Sequence, residues 1–391
     1  MKVAIVVSTL RAGGMERVAV NMANHWAARG WEPALLTLSH RGRRIAYPLG
    51  EGVAHHDAGQ APRFGGELDP ATMRAIGRAL DLRDRSNRLL LPHVFTMARL
   101  RRAIADLGPE AIIAFGDVTN LRTIVAAEGM RIPVIVSERC DPYRNRVGGW
   151  EGLRRALYPR ANGVVAQTAD AARFFAGYGC KVHVIPNIVI AAPNVVGQAI
   201  LPAPPPDRQD CLSYTPRRIV TIARLTVEKR INLLIRAFAL IAEKHPAWQL
   251  EIWGEGSLRP ELEAIIASVG GTRVHLRGHT DDVYSVLRTS QIFAMTSLTE
   301  GFPNALCEAM ASGVPPVVID CGSGVREIVR DGVDGVLVRG GTPESFAAAL
   351  DRLMSDDAER ARLAERAPEV VERFGAERVM PMWEELIGCR S

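Results

Sequence analysis

Two carboxylates, Glu300 and Glu308, stand on either side of the segment Phe302-Pro303-Asn304. Proline suits the first position of a helix because its missing N–H is not needed there, and the first helical turn presents backbone N–H groups at a positive end. The segment therefore predicts a phosphate site with a carboxylate on each side. A nucleotide sugar has that order of groups, with hydroxyls on the hexose, a diphosphate, and hydroxyls on the ribose.

Two cations accompany the apolar run at 217–225, which predicts a strand. Arg224 offers a planar fork of N–H donors and Lys229 a compact charge, and together they suit a diphosphate. Lys229 is informative because the chain holds only four lysines among 48 basic residues. The alternative interpretation is a solvated charged loop.

Gly13 and Gly14 follow the first apolar run and precede a helical pattern. Paired glycines let a ligand approach the backbone, and the helix start again favours a phosphate; a simple tight turn is the alternative. The dinucleotide-binding pattern of three spaced glycines is absent here. Gly254 and Gly256 supply its first two glycines, but Arg259 takes the place of the third.

The elements that must position these residues alternate between strands and helices. The strand-like runs are apolar throughout, which is typical of parallel strands covered on both faces. Ligands of such sheets bind at the carboxyl ends of the strands, so the residues above fall where a site is expected. The predicted strands are 3–9, 33–38, 111–115, 133–137, 163–168, 182–187, 217–225, 248–254, 274–278, 290–297, 315–320 and 335–338.

A proline-rich stretch separates two series of strand–helix units. We therefore predict two doubly wound domains, at 1–195 and 217–375, joined by a linker at 196–216. A final helix at 376–391 is expected to pack back on the first domain. No apolar run reaches the ~18 residues of a membrane span, and six scattered cysteines suggest free thiols rather than metal ligands.

Basic residues concentrate in the first half of the chain. Residues 1–190 contain 26 Lys and Arg against 16 Asp and Glu, a net charge of +10, and the remainder carries −5. The excess indicates an anionic partner such as a membrane surface, a nucleic acid or a phosphorylated substrate. A solvated arginine-rich face is the alternative. Nucleic acid is not expected, because no basic platform interleaved with aromatic residues is present.

The segment EGFPNALCE (300–308) resembles the E-x7-E motif of the retaining glycosyltransferases of family 4, which have the GT-B fold. The resemblance extends along almost the whole chain, through RRIVTIARLTVEKR, IWGEGSLRPEL, VHLRGHTDDV and GSGVREIVRDGVDGVLV. The STLRAGGMERV opening and SERCDP are similar to a narrower branch that extends sugars on polyprenyl-diphosphate carriers, among them bacterial N-acetylgalactosamine transferases. The implied fold is α/β, with two Rossmann-like, doubly wound parallel-sheet domains facing across a cleft. The domain at 1–195 would lie on the acceptor side, and the domain at 217–375 would bind the nucleotide sugar.

The resemblance implies a role for each matching residue. Glu300 would hold hydroxyls of the donor sugar, and Glu308 would hold the ribose of the nucleotide. Arg224 and Lys229 would bind the diphosphate and stabilise the leaving group. Further donor contacts would come from the backbone at Gly13, Gly14, Gly278, His279, Thr280, Phe302, Asn304 and Ala305.

One position departs from the family pattern. Many members carry a histidine after the strand equivalent to 133–137, where this chain reads SER (137–139). Three roles are open for Glu138: a catalytic residue, an acceptor-binding residue, or a tie that holds a loop. Glu138 is included among the predicted catalytic residues with Glu300 and the two cations.

The resemblance also implies the reaction and its partners. A hexose or N-acetylhexosamine would move from a nucleotide sugar, with UDP expected, to a polyprenyl-diphosphate-linked glycan with retained configuration. No D-x-D sequence is present, so neither metal nor cofactor is expected, and fixed charges would stabilise the leaving diphosphate. The alternatives are an epimerase or phosphorylase of the same fold, or a catalytically silent protein that binds nucleotide sugars.

A cytoplasmic protein, peripheral at the inner face of the membrane, is expected. Basic residues with interleaved apolar ones suit an anionic surface or a carrier diphosphate. The arginines predicted to make these contacts are Arg99, Arg101, Arg102, Arg154, Arg155 and Arg160.

Overall fold

The computed structural model describes residues 1–59, 70–80, 85–143, 150–192, 216–271 and 273–388. The chain forms two compact units: unit 1 comprises residues 1–188 and 376–391, and unit 2 comprises residues 189–375. The linker predicted at 196–216 lies outside the described residues, except for Pro216.

Unit 1 is built on a parallel sheet. Its strands, as far as the structure describes them, are β1 (Lys2–Val7), β2 (Glu32–Thr37), β3 (Ala54–Asp57), β4 (Ala111–Phe115), β5 (Val134–Ser137), β6 (Gly163–Ala166) and β7 (Val182–Val184). They pair in the order β3-β2-β1-β4-β5-β6-β7. The edge strand β3 was not among the predicted strands, because its sequence AHHD is polar and lacks an apolar run.

Helices cover both faces of this sheet, so its central strands are buried. The core on one face contains side chains of α2 to α6, and the core on the other contains side chains of α1 and α15. The α-helices described in unit 1 are α1 (Gly14–Ala28), α2 (Pro70–Ala79), α3 (Val94–Leu107), α4 (Asp117–Ala126), α5 (Trp150–Leu157), α6 (Ala169–Ala176) and α15 (Ala376–Gly388). Short 3-10 helices occupy Arg85–His93 and Tyr158–Arg160.

The chain passes from unit 1 to unit 2 between Ile188 and Val189, earlier than the boundary predicted at residue 195. The physical reason is that Val189 is buried in the core of unit 2 and donates its N–H to the Phe374 carbonyl at 2.8 Å. The chain returns to unit 1 after Gly375, where α15 places Trp383 in the unit 1 core.

Unit 2 repeats the parallel architecture. Its described strands are β8 (Arg217–Ile222), β9 (Trp248–Trp253), β10 (Val274–Gly278), β11 (Ile292–Met295), β12 (Pro316–Ile319) and β13 (Val336–Val338). They pair in the order β10-β9-β8-β11-β12-β13. The α-helices described in unit 2 are α7 (Ile231–Ile241), α8 (Arg259–Ser268), α9 (Val283–Arg288), α10 (Asn304–Ala311), α11 (Ser323–Ile328), α12 (Pro343–Ser355), α13 (Asp357–Arg366) and α14 (Glu369–Phe374).

Membrane-spanning helices and metal-binding clusters are both absent from the described residues. None of the helices in those ranges combines the length and apolarity needed to cross a membrane. Within the same ranges, no group of three or more His, Cys, Asp or Glu side chains is placed to hold a metal ion. Cys140, Cys180, Cys307 and Cys321 form no disulfide among the described residues.

Candidate active site

The strand order of unit 2 reverses at β8. The chain continues from β8 to its neighbour β9, then places β11 on the other side of β8. In open α/β sheets, ligands bind outside the carboxyl ends of the strands at such a switch point. The loop after β8 contains Arg224 and Lys229, and the loop after β11 contains Glu300. The topology therefore gathers three of the predicted site residues at one edge.

Lys229 and Glu300 form an ion pair at this switch point. The Lys229 Nζ lies 2.6 Å from Glu300 Oε1, and the Ser297 hydroxyl donates to the same oxygen at 2.6 Å. The two charged side chains are 19% and 13% exposed, so they are partly desolvated and still reachable by a ligand. Charge-assisted contacts of this length hold both groups in a defined direction.

Hydrogen bonds between the loops after β8 and β11 fix the backbone position of Lys229. The buried Thr296 hydroxyl lies 3.0 Å from the Lys229 carbonyl and 3.1 Å from the Arg230 carbonyl, and the Leu298 N–H donates to the Glu228 carbonyl at 2.7 Å. Thr296 was not among the predicted site residues, because the predicted strand ran to residue 297, whereas β11 ends at Met295. A hydroxyl pair after a buried apolar run was the available signal.

Arg224 lies exposed in the same loop as Lys229. The Glu228 carboxyl in this loop accepts a hydrogen bond from the Glu228 backbone amide. This bond, together with the charges of Arg224 and Lys229, lowers the pKa of the Glu228 carboxyl. Within the described residues, the Arg224 guanidinium makes no hydrogen bond or salt bridge. Its planar donors are therefore available to an anion that reaches this loop.

Helix α10 begins at Asn304, and Pro303 occupies the N-cap position before it. Pro303 was predicted at the first helical position, but its ψ of 108° is extended, so the helix begins one residue later. Ala305 lies in the first turn. The positive end of α10 therefore follows the Glu300 loop directly along the chain.

Glu308 lies in the second turn of α10 and is 8% exposed. Burial, together with the charge of Glu308, raises the pKa of the neighbouring Cys307 thiol, so Cys307 stays protonated. The helix start thus has Glu300 on one side and Glu308 on the other, in the order that the sequence indicated.

The turn between Glu300 and α10 is packed tightly. Phe302 is 5% exposed and meets Phe374 edge-on, with the ring centroids 5.3 Å apart. A Cβ at Gly324 would lie 1.8 Å from the Gly301 carbonyl oxygen, so only glycine fits there. Gly324 belongs to the GSG segment of the family resemblance, but no role was predicted for it. Its function is to let α11 support the turn.

Two glycines, one after β9 and one at the end of β10, pack the loops at this edge of the sheet closely together. A Cβ at Gly254 would lie 1.9 Å from the Ala223 carbonyl oxygen, and the Gly254 N–H donates to the Gly278 carbonyl at 2.7 Å. Gly254 therefore serves close packing beside Arg224, which explains a glycine without a dinucleotide fingerprint. His279 follows with its side chain 58% exposed.

The reversal of strand order in unit 1 lies between β1 and β4, and Gly13 follows β1. Gly13 caps α1 with an extended φ of −179°, and Gly14 is the first helical residue. The Tyr47 hydroxyl accepts from the Gly13 N–H and donates to the Gly13 carbonyl, both at 3.0 Å. The backbone amide predicted to approach the donor therefore has Tyr47 as its partner.

Glu138 follows β5 and is 4% exposed. Its carboxylate accepts a hydrogen bond from the Tyr158 hydroxyl and lies 3.6 Å from Arg154 Nε. Burial raises the pKa of Glu138, and the Arg154 charge opposes that shift. These contacts support the role of a tie that holds the loop after β5. Direct contact with a substrate stays a prediction.

Several arginines predicted to meet a carrier or membrane have partners inside unit 1. Arg101 and Arg160 donate to backbone carbonyls, and Arg154 is 2% exposed in its ion pairs. The structure therefore leaves fewer charges for a partner than the sequence suggested. Arg102 and Arg155 are exposed, with 79% and 61% of their side chains accessible.

Two family models match the chain. The model described as Glycosyltransferase Family 4 matches residues 12–192, and the model described as Glycosyl transferases group 1 matches residues 207–370. Every predicted site residue lies within one of the two matched segments.

Two relatives differ in how much of them the chain covers. An exopolysaccharide phosphotransferase of Streptomyces coelicolor is 36% identical over 198 residues, which are 50% of this chain and 20% of that protein. The chain thus spans one fifth of the length of that relative. The Campylobacter jejuni GalNAc-alpha-(1->4)-GalNAc-alpha-(1->3)-diNAcBac-PP-undecaprenol alpha-1,4-N-acetyl-D-galactosaminyltransferase is 22% identical over 389 residues, covering 99% of this chain and 98% of the relative.

A solved structure shares the fold along its whole length. Anabaena HepE, crystallised with UDP and glucose, superposes with a TM-score of 0.76 at 19% identity and 100% coverage of both chains. The predicted α/β architecture with two Rossmann-like parallel-sheet domains is confirmed, and with it the GT-B fold.

Proposed function

The chain belongs to the glycosyltransferases of group 1 and family 4, and on this premise we propose its substrates. It moves a hexose or N-acetylhexosamine from a nucleotide sugar, with UDP as the leaving group, to a polyprenyl-diphosphate-linked glycan. The anomeric configuration is retained. The product enters a bacterial surface polysaccharide or glycoprotein glycan.

The observation that carries this proposal is the 2.6 Å pair of Lys229 and Glu300 at the switch point of unit 2. In a nucleotide sugar, the hexose is bonded directly to the diphosphate, so the groups that bind the two must be neighbours. Lys229 supplies charge for the diphosphate, and Glu300 accepts hydrogen bonds from hexose hydroxyls. A ligand in this position would take over part of the contact that the two side chains now make with each other.

The remaining donor contacts follow from the same edge. Arg224 adds a bidentate fork for the phosphates, and the first turn of α10 at Asn304 and Ala305 adds backbone donors. Glu308 accepts from ribose hydroxyls. Contacts from the glycine pair after β1, and from the backbone around Gly278 and His279, belong to the same proposal.

The proposed reaction balances without a cofactor. The bond between the sugar C1 and the diphosphate oxygen breaks, and a bond from C1 to the acceptor hydroxyl oxygen forms on the same face. The acceptor proton passes to the departing phosphate oxygen. Lys229 and Arg224 stabilise the negative charge that develops on the leaving group, and this is the effect that oriented charges in a partly desolvated site supply.

The compared proteins support the choice of substrates. The Campylobacter jejuni relative, aligned over nearly the full chain, is named as an N-acetylgalactosaminyltransferase acting on an undecaprenyl-diphosphate-linked glycan. The Anabaena structure of the same fold was crystallised with UDP and glucose. Together they favour a UDP-sugar and a lipid-linked acceptor.

A membrane-facing surface on unit 1 is part of this proposal, with the protein peripheral at the inner face of the cytoplasmic membrane. Large apolar side chains are exposed on α2, on the 3-10 helix before α3, and on α3 itself: Met73, Leu89, Leu91 and Phe95, the last at 61%. Arg74 and Arg102 are exposed on the same helices. Apolar groups with interleaved cations are the composition that anionic lipid surfaces attract.

The function is tested by incubating the full chain with a panel of UDP-sugars and a polyprenyl-diphosphate-linked glycan. We expect one UDP-sugar to yield an extended lipid-linked glycan with release of UDP and the donor's anomeric configuration. If the protein instead converts a UDP-sugar into its epimer in the absence of acceptor, the proposed transfer to a lipid-linked glycan is contradicted. A phosphorolysis product would do the same.

A further inference from the structure

Arg139 lies directly after Glu138 in the loop following β5, and its guanidinium is held by aromatic rings. The guanidinium carbon is 4.1 Å from the centroid of the Phe115 ring and 5.9 Å from that of Trp383. Its Nη1 donates to the side-chain oxygen of Asn187. These contacts fix the plane and the direction of the group.

Two other donors of Arg139 have no partner among the described residues. Nε and Nη2 are both closed off from solvent and make no hydrogen bond there. Buried polar groups are nearly always hydrogen-bonded, and a charged donor left without a partner is costly. Burial lowers the pKa of Arg139 to about 9, against the opposing effect of Glu138, so the group is a cation at neutral pH.

The two unpartnered atoms are the pair that recognises an anion. Nε–H and Nη2–H lie along one edge of the planar guanidinium and form a fork for two oxygens of one carboxylate or phosphate. Glu138 is not that anion, because its carboxylate is engaged with Tyr158 and Arg154. The fork is thus complete in its donors.

Further buried polar atoms without partners belong to neighbouring segments of the described structure. They are Ser137 Oγ, at the end of β5, and Gln167 Oε1, directly after β6. The Gln167 amide donates at 2.6 Å to the same Asn187 oxygen that Arg139 contacts, so the two side chains converge. β5 and β6 are paired neighbours, and the cluster lies at their carboxyl ends, where open sheets bind ligands.

We infer that Arg139 binds phosphate oxygens of a substrate diphosphate through Nε–H and Nη2–H. The inference rests on the proposed function, in which both the nucleotide sugar and the lipid carrier present a diphosphate. It also reassigns the loop after β5, since Glu138 holds the loop and Arg139 is the residue that contacts the substrate.

The test is isothermal titration of the full chain with UDP and with farnesyl diphosphate, which represent the two sources of the diphosphate. Arg139→Lys keeps the charge and removes the fork. The matched control is Arg217→Lys in unit 2, whose guanidinium lies 5.6 Å from the Trp248 ring and whose fork is filled by Asp357 at 2.8 Å. The control is expected to bind both probes like the unaltered protein.

We expect Arg139→Lys to weaken one probe by roughly tenfold or more, as loss of a bidentate contact implies. Weaker UDP binding assigns the fork to the donor, and weaker farnesyl diphosphate binding assigns it to the carrier. Unchanged affinity for both probes overturns the inference and leaves the proposed function standing. If neither probe binds the unaltered protein, the proposed function fails as well.

A second measurement applies if Arg139→Lys is not recovered folded. Trp383 lies next to the guanidinium, so phosphate binding at the fork should alter the part of the fluorescence that Trp383→Phe removes. A change in that part on adding UDP or farnesyl diphosphate supports the inference. Its absence with both probes contradicts it.

Discussion

The two parallel sheets reverse their strand order in the same way, yet the chemistry at the two reversals differs. In unit 2, the loops after β8 and β11 carry an ion pair, Lys229 with Glu300, and the exposed Arg224. In unit 1, the Gly13 amide after β1 is paired with the neutral Tyr47 hydroxyl. Equal topology therefore provides two platforms, and in unit 2 an ion pair joins the two loops at the reversal.

The difference indicates which unit binds the nucleotide diphosphate in the proposed reaction. A nucleotide diphosphate needs fixed positive charge, and unit 2 supplies it from two loops and a helix start. At the carboxyl edge of unit 1, a buried ion pair lies further along the sheet, after β5, where Glu138 contacts Arg154. Substitutions at the edge of unit 2 should therefore lower activity most, and substitutions at the edge of unit 1 should mainly lower stability.

The largest loss is expected in unit 2, from Glu300→Ala. Removing the hydroxyl acceptor next to the diphosphate should lower kcat by about 10²–10³-fold, as loss of a group that is oriented for the transition state does. Steady-state kinetics measure this with the UDP-sugar that the proposed donor panel selects. Circular dichroism must show an unchanged fold, and near-normal kcat in a folded variant would remove Glu300 from the site.

A smaller loss should follow from Gly324→Ala, which acts on the same edge through packing. The added Cβ would collide with the Gly301 carbonyl and displace the turn before α10. A shift of roughly 1 Å in a positioning element can cost about 10²-fold in rate. Gly388→Ala is the control, because its Cβ meets nothing within 4 Å. Equal activity of both variants would show that the turn tolerates the shift.

Glu138→Gln should affect stability more than rate. The buried contacts with Tyr158 and Arg154 would be weakened, lowering the free energy of unfolding by about 1–3 kcal/mol. We expect kcat to fall by less than about tenfold. Urea unfolding and kinetics are measured together. A hundredfold drop in kcat at unchanged stability would instead make Glu138 catalytic.

The smallest effect concerns acid stability at the edge of unit 1. Burial, together with the charge of His40, lowers the pKa of His55, which contacts the Thr37 hydroxyl at 3.0 Å. The unfolded chain takes up this proton near pH 6.5 and the folded chain only at lower pH, so stability is lost as pH falls below about 6.5. Urea unfolding at pH 7.5 and 5.5 should show the loss, and His55→Gln should reduce it. An equal loss of unfolding free energy in the unaltered protein and in His55→Gln would exclude His55 as its source.

The fold was predictable because parallel strands buried on both faces have continuous apolar sequences. The prediction failed at β3, whose sequence AHHD lies at the edge of the sheet and carries no such signal. It also ran β11 past Met295, because Thr296 and Ser297 are buried like strand residues although they lie in the loop.

The candidate site divides in the same way. Glu300 and Glu308 lie within one local motif, so spacing alone placed them around the start of α10. Contacts that depend on distant chain segments carried no local pattern: the close approach of Gly324 to Gly301, and Tyr47 against Gly13.

The most direct test of the charged platform is UDP binding to two lysine variants of unit 2. Lys229 and Lys244 each end a 3-10 helix and pair with a carboxylate, at 2.6 and 2.7 Å, but only Lys229 lies at the switch point. In isothermal titration, we expect Lys229→Ala to lower the affinity for UDP at least about tenfold, or 1.4 kcal/mol. We expect Lys244→Ala to bind UDP as tightly as the unaltered protein. Equal UDP affinity in both variants would contradict the assignment of the donor site.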